Sequence, residues 1–301
     1  MKRHTVATFH TVATLIEAVY QQFLSSNLTY GHGTDNAWDE AVALVLRVSG
    51  AADDEASLQV SIPAIQAAQC FTLADERVGT RQPLAYVLGW CRYMGFEFEV
   101  EAGVVVPRSP IGYLLHEGLS PWLPPRVERV LDLCSGTGCL GIVAAHLFPE
   151  AHVTLVELDP IALQVARRNV LAHRLQDRVK VVPGDVTTAL SLGADYDLIL
   201  ANPPYVNAVD MTVLPLEFRA EPEAGLAAGA DGLTIINAIL ERLPRWLAAK
   251  GLFVAEVGAS APALMARHAD LEFIWPDLPS GGEGVFLLEA AGLTSHTSRR
   301  R

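Results

Sequence analysis

Two short stretches hold residue types that could do chemistry together. The first is Asn202-Pro203-Pro204-Tyr205, which closes an apolar run from Asp197 to Ala201. An amide or aromatic amine is a poor nucleophile because its nitrogen lone pair is delocalised, so a site that alkylates one must hold the NH2 group with that lone pair aimed at the electrophile. The Asn202 side-chain oxygen and the Pro203 carbonyl can each accept one N–H bond, leaving the lone pair free. Pro203 and Pro204 lock φ and lack an N–H, which fixes the direction of these acceptors, and Tyr205 can pack on a planar group. No general base is required beforehand, and stabilisation grows as positive charge develops on the nitrogen. The plainer reading is a strand end made of ordinary turn residues.

The second stretch, Asp132-Leu133-Cys134-Ser135-Gly136-Thr137-Gly138, sits where a strand turns into a helix, and its glycines let backbone approach a ligand closely. With Gly141 it satisfies G-x-G-x-x-G, and Glu157 follows about 20 residues on, at the end of the next strand. That pattern serves a dinucleotide or S-adenosylmethionine equally. Asp132 favours the second, because a carboxylate at the loop mouth repels a pyrophosphate but suits an ammonium group. Glu157 can accept from ribose hydroxyls, and Asp185, next to Val186 after the third strand, is placed to take an adenine amino proton. The expected cofactor set is therefore Asp132, Cys134, Ser135, Gly136, Thr137, Gly138, Glu157, Asp185, Val186 and Asn202, with no metal.

These residues need a frame. Short apolar runs at Val127–Leu133, Val153–Glu157, Val179–Val182, Asp197–Ala201, Leu252–Val257 and Val285–Leu288 read as buried parallel strands. Helical patterns at Gly138–Phe148, Pro160–Ala172 and Leu233–Leu247 separate them, which predicts an α/β, doubly wound, mostly parallel sheet. Its carboxyl edge is where both stretches fall. Upstream, Val12, Leu15, Ile16, Val19, Tyr20 and Phe23 recur at helical spacing, a second helix starts near Asp35-Asn36, and a third runs from Ile65 to Val78. Phe96, Phe98 and Val100 alternate with glutamates, Gly103 interrupts, and Val104-Val105-Val106 resumes, which suggests a β-hairpin. Pro121, Pro124 and Pro125 mark a linker. The expected organisation is a helical domain over 1–94 that recognises substrate, hairpin and linker over 95–125, the catalytic domain over 126–293, and a disordered basic tail over 294–301.

The 301 residues are half hydrophobic and carry a formal net charge of −12. An acidic surface repels a bare phosphate backbone, so stable nucleic-acid binding is not expected and a basic protein partner fits better. The N-terminus has no apolar signal core and no run of eighteen apolar residues occurs, so the sequence reads as cytoplasmic and away from membranes. Cys70, Cys91, Cys134 and Cys139 match neither a disulfide framework nor a zinc pattern and read as reduced thiols.

At the two chemical stretches the chain closely resembles the HemK/Prm glutamine-amide methyltransferases, along nearly its whole length. Three more stretches resemble the ribosomal-protein branch of that group: Tyr30 to Ala41, Val106-Pro107-Arg108-Ser109-Pro110-Ile111-Gly112, and Gly281-Gly282-Glu283-Gly284-Val285-Phe286. The release-factor branch usually carries Pro-Arg-Pro-Glu/Asp-Thr-Glu at the middle one, and this chain does not. The resemblance implies a Rossmann-like class I fold, S-adenosylmethionine as methyl donor, and one glutamine of protein three of the large ribosomal subunit as acceptor. It departs from the group at Cys134, where glycine is common, and at Tyr113, where the branch has glutamate. It also implies that Glu221-Pro222-Glu223 and Gly229-Ala230-Asp231-Gly232 shape the substrate side, although a solvated loop fits them equally. In Tyr30 to Glu40, His32, Asp35 and Trp38 could recognise a protein, and Trp38 reads first as core.

Three other readings stand beside this one. A release-factor or RNA/DNA amino methyltransferase uses the same Asn-Pro-Pro-Tyr logic, but a nucleic-acid enzyme would want a basic groove. A binding-only assembly factor would not need Asn202 or Gly136. A dinucleotide oxidoreductase gives Asp132 and the prolines no role.

Overall fold

The computed structural model describes residues 11–124, 126–188, 190, 192–278 and 284–293. Pro125, Gly281-Gly282-Glu283 and the tail from 294 lie outside them. The chain divides into two compact units. One holds the described residues up to Cys91 with Val100–Ala102 and Pro215–Ala220. The other holds Arg92–Glu99, Gly103–Leu214 and the described residues from Glu221 onward.

In chain order the first unit begins with α1 (Val12–Leu24), α2 (Ala37–Ser49), α3 (Ala64–Thr80) and α4 (Leu84–Leu88). Thr11 and Asn36 cap α1 and α2 with side-chain oxygens, and Gly50 ends α2 in the left-handed region. Val12, Leu15, Ile16, Val19 and Phe23 meet Ala41, Leu44 and Val45 in one core. Trp38, expected inside, is 45% exposed and meets Tyr20 edge-on, because the α2 stripe that faces the core runs through Ala41, Leu44 and Val45. Arg77 is fully buried, forked onto Glu40 at 2.9 and 3.1 Å. Glu217, reached through the returning segment, accepts from Thr29 N at 3.0 Å and pairs with Arg81 at 2.7 Å.

Strands β1 (Trp90–Tyr93) and β2 (Phe96–Glu99) form a two-stranded sheet. The hairpin was expected between Phe96–Val100 and Val104–Val106; its turn is instead Met94-Gly95, where φ is 50° and 79°. Two successive positive φ values make the tight turn whose twist suits paired strands. Val104 and Val106 are buried without joining a strand.

The second unit continues with α5 (Ile111–His116), β3 (Arg129–Leu133), α6 (Cys139–Leu147), β4 (His152–Glu157), α7 (Pro160–Ala172), β5 (Val179–Pro183) and β6 (Tyr196–Ala201). After β6 come α8 (Ala208–Val213) and α9 (Leu216–Arg219), the latter within the segment that belongs to the helical unit. Then follow α10 (Thr234–Arg242), β7 (Leu247–Glu256), α11 (Ala261–Arg267) and β8 (Val285–Glu289). The six strands lie in the order β5-β4-β3-β6-β7-β8. The doubly wound α/β expectation holds, with two corrections. Strand β8 is antiparallel to β7, Glu256 facing Val285, so it starts at the end where β7 stops. The helix between them has seven residues, about 10 Å at 1.5 Å per residue, too short to carry the chain back across the sheet. And the helix expected to reach Leu247 stops at Arg242, followed by a 3-10 turn containing Pro244, whose ring and missing N–H end the regular ladder. Leu131, Leu133, Ile199, Ala201, Phe253 and Ala255 pack with Ile236, Ile239 and Leu240 on one face of the sheet. No helix among the described residues is long and apolar enough to cross a membrane.

Candidate active site

The loop after β3 is built on positive φ angles. Cys134, Gly136 and Gly138 stand at 57°, 55° and 80°. That explains why glycine suits position 134, since an L side chain there carries a steric cost. A Cβ on Gly141 would run into the Leu155 side chain, so this glycine lets α6 press against β4. Asn169 of α7, fully buried, ties the loop down: its Nδ2 donates to Thr137 O at 3.0 Å and to Glu99 O at 3.1 Å, and its Oδ1 accepts from Glu99 N at 2.8 Å.

Two carboxylates take up the loop's backbone donors. Glu157 Oε2 accepts from Gly136 N at 2.7 Å, while Oε1 accepts from Leu158 N and Asp159 N. Asp132 Oδ2 accepts from Gly141 N at 2.9 Å. The sequence placed Asp132 at the loop mouth, facing a ligand's ammonium. It lies instead under the loop, fully buried and outside the cavity lining, because Leu131 and Leu133 face the opposite side of the strand and leave Asp132 towards α6. Its Oδ1 has no hydrogen-bond partner, and burial pushes the carboxyl up to about 7, against the pull of Gly141 N. The argument against a pyrophosphate therefore passes to other atoms. Donors at Gly136 and Gly141, where a phosphate would be cradled, already serve carboxylates.

Asp185 takes both Thr187 donors on Oδ1, at 2.8 Å from N and 2.7 Å from Oγ1, and these bonds hold its carboxyl below the usual range. Ser135 lines the cavity and is 6% exposed, and its buried Oγ has no hydrogen-bond partner among the described residues. A buried hydroxyl in that state asks for a ligand group.

Asn202, Pro203, Pro204 and Tyr205 leave the end of β6 into the same cavity. No described group hydrogen-bonds the Asn202 carboxamide, so its acceptor is available. A parallel bridge links Val206 to Ala227, with bonds of 2.8 Å from Val206 N to Leu226 O and 2.9 Å from Ala228 N to Val206 O. Tyr205 is held at three points. Ser260 Oγ donates to its carbonyl at 3.0 Å, its ring lies against Gly258 where a Cβ would strike it, and its hydroxyl donates to Glu256 Oε1 at 2.8 Å. The ring expected to pack on a planar substrate thus also carries a fixed internal bond.

Gly103–Ser109 line the same cavity. Arg108 forks onto Glu221, 2.5 Å to Oε1 and 2.7 Å to Oε2, and Glu221 Oε1 also accepts from Val106 N at 2.9 Å. Burial opposes the Arg108 charge, but Glu221 outweighs it and raises the guanidinium above its ordinary value. Ser109 Oγ donates to Glu256 Oε2 at 2.6 Å, and its carbonyl accepts from Tyr93 Oη at 2.6 Å. A Cβ on Gly112 would overlap that tyrosine hydroxyl. Tyr113 is 44% exposed and does not line the cavity.

The cavity measures about 450 Å³, within the roughly 300–1,000 Å³ of small-molecule sites. It brings together Cys134, Ser135, Gly136, Thr137, Glu157, Asp185, Val186 and the four residues 202–205; Asp132 and Gly138 stand behind it. Pro222, Ala224, Gly225 and Leu226 line it too, so this part of the segment after the reaction motif is cavity wall, while Gly229-Ala230-Asp231-Gly232 is not in the lining and Gly229 and Ala230 are exposed. Sequence reasoning assigned no role to Glu256 or Asn169, and it named Glu221 and Arg108 only within stretches, without foreseeing their pairing. A signal existed for Glu256: an acid inside the apolar run Leu252 to Val257 is costly to bury unless it has partners. All four cysteines are free, and among the described residues no cluster could hold a metal.

Comparison with known proteins narrows what such a site does. The methyltransferase small domain family matches residues 115–243. A ribosomal protein uL3 glutamine methyltransferase of Bordetella pertussis is 40% identical over 292 residues, 96% of this chain and 98% of its own. Those of Burkholderia pseudomallei and Francisella tularensis are 39% and 36% identical, covering 95% and 94% of this chain and 96% and 91% of theirs. Among solved structures, the hMettl16 catalytic domain in complex with MAT2A 3'UTR hairpin 1 superposes with a TM-score of 0.50 over 96% of this chain and 93% of that one, at 13% identity, which speaks for the fold alone. Sequence identity of this extent carries more than architecture, so the chain is a methyltransferase of the class I fold and belongs to the family of ribosomal protein uL3 glutamine methyltransferases.

Proposed function

We propose that the chain transfers a methyl group from S-adenosylmethionine to the side-chain amide of a glutamine in large-subunit ribosomal protein uL3, in the cytoplasm. The observation that carries the reading is the unpaired Asn202 carboxamide beside Pro203 in a cavity that also holds the Gly136 loop. The relatives that match nearly the whole chain bear that activity in their names.

S-adenosylmethionine would supply a sulfonium-bound methyl group. Ser135 Oγ, Glu157 and Asp185 would hold it, Glu157 through the remaining lone pairs of its carboxylate towards the ribose and Asp185 through Oδ2 towards the adenine amine. Val186, Cys134 and Thr137 would pack around it. Asp132 supports the loop from behind. The chain's own chemistry lies in the amide site. Asn202 Oδ1 and Pro203 O accept the two amide N–H bonds, which keeps the nitrogen lone pair off those bonds and directed across the cavity. The bonds strengthen as the nitrogen gains positive charge, and they weaken the N–H bond whose proton is then lost. Tyr205 gives the flat amide a face to rest on.

The test is intact-mass and peptide mass spectrometry of purified uL3 after incubation with the enzyme and S-adenosylmethionine. One added methyl group on one glutamine is expected. Unchanged uL3, or a methyl group on another residue type, would overturn the proposal.

A further inference from the structure

Glu256 is the last residue of β7 and is 7% exposed. Its backbone pairs with Val285, so its position belongs to the sheet. The carboxylate receives two side-chain hydrogen bonds, each from a hydroxyl: Tyr205 Oη at 2.8 Å and Ser109 Oγ at 2.6 Å. Both donors line the cavity, from two segments far apart in the chain, and Glu256 itself does not. Ser109 Oγ also accepts from Ile111 N at 3.3 Å, which leaves its own proton for Glu256. Both hydroxyl protons therefore point at the carboxylate.

Burying a carboxylate is expensive, and stability alone does not call for it: an apolar side chain would fill the same place at lower cost. The acid does something a hydrocarbon cannot. It takes one hydroxyl from the Asn202–Tyr205 segment and one from the Gly103–Ser109 segment, and anchors both to the sheet. We propose that Glu256 is a positioning residue for the methyl transfer, fixing through Tyr205 and Ser109 the relative placement of the two cavity-lining segments beside which the amide must lie. The inference rests on the reading that Asn202 and Pro203 hold the amide. An attacking atom must sit within a few tenths of an ångström of its line of approach, and a placement that drifts loses rate without losing cofactor.

The experiment is a mutant cycle on the full chain, with unmodified uL3 as methyl acceptor and S-adenosylhomocysteine as the binding probe. Glu256→Gln keeps the size but turns one acceptor into a donor, so one hydroxyl loses its place. Tyr205→Phe and Ser109→Ala each remove one link without opening a large void. Each single variant is expected to lower kcat about tenfold, with S-adenosylhomocysteine affinity unchanged. In the Tyr205→Phe/Ser109→Ala background, Glu256→Gln should change kcat less than about twofold, because nothing remains for the acid to position. A merely structural acid would lower Tm and the active fraction while leaving kcat per folded molecule untouched. That result overturns the proposal, as does a Glu256→Gln loss of equal size in both backgrounds. If Asn202→Ala keeps full turnover, the amide reading itself fails; if Asn202→Ala is inactive while Glu256→Gln is silent, only the positioning role fails.

Discussion

The two ends of the cavity are made firm by different kinds of bond. At the cofactor loop, carboxylates bind backbone: Glu157 holds Gly136 N and Asp132 holds Gly141 N, across 21 and 9 residues. At the proposed amide site, side chains bind side chains: Tyr205 to Glu256 across 51 residues, Arg108 to Glu221 across 113 and Ser109 to Glu256 across 147. The first arrangement fixes where the chain goes, and a ligand meets a preformed loop. The second fixes where particular atoms stand relative to one another, which is what a reaction with a weak nucleophile demands. Loss of a loop contact should therefore act on folding, and loss of a contact at the amide site on rate as well.

Asn202→Ala should separate the two ends most sharply. Removing one acceptor of the amide N–H bonds is expected to slow transfer by about 10²–10³, the scale of losing one partner that strengthens in the transition state. Affinity for S-adenosylhomocysteine, measured by calorimetric titration, should stay within about twofold of the parent. A parallel loss of affinity would mean that the two ends are not separate.

Glu221→Gln probes the tie between Val106, Arg108 and the wall after the reaction segment. The Glu221 side chain is fully buried and Arg108 is 21% exposed, so removing the charge leaves a poorly solvated guanidinium and should cost about 2–3 kcal/mol in chemical denaturation. A cost near zero would show that the pair is no stronger than a surface one.

Asp132→Asn tests the other end through pH. Unfolded, the carboxyl titrates near its ordinary 3.8, and folded it titrates at about 7. Between these values the folded chain holds the extra proton, so this contribution to stability is full at low pH and falls as pH rises towards 7. The slope is up to about 1.4 kcal/mol per pH unit. Asparagine keeps an acceptor for Gly141 N and has no proton to lose. Denaturation at pH 4–7 should show parent and variant diverging steadily in the variant's favour. Parallel curves would mean that Asp132 is ionised throughout.

The same contrast decides what could be read from the chain. The loop was legible because its parts are local: glycines at fixed offsets, an acid one strand on, and a strand-to-helix change of period. The mostly parallel sheet followed from the alternation of apolar runs and helices, and Asn202-Pro203-Pro204-Tyr205 announced itself through rigid, polar residues at a strand end. Glu256 and Ser109 are 147 residues apart, and no local pattern couples them. Asp132 was expected at the loop mouth but lies under the loop, since the side of a strand on which a residue falls depends on register. The hairpin was displaced for a related reason: Val104–Val106 has a strand's composition, but the two-residue turn at Met94-Gly95 set the pairing.

The smallest effect is expected inside the loop itself. Cys134 takes φ of 57° and lines the cavity, with burial raising its thiol well above the ordinary value. A side chain in that conformation costs about 1–2 kcal/mol, and glycine returns about 0.5–1 kcal/mol of that as extra freedom in the unfolded chain. Cys134→Gly should therefore raise stability by no more than about 1.5 kcal/mol, seen as a Tm increase of a few degrees at most. A lower Tm would show that the thiol's packing outweighs the backbone cost, and that the loop depends on side-chain fit in the way the amide site does.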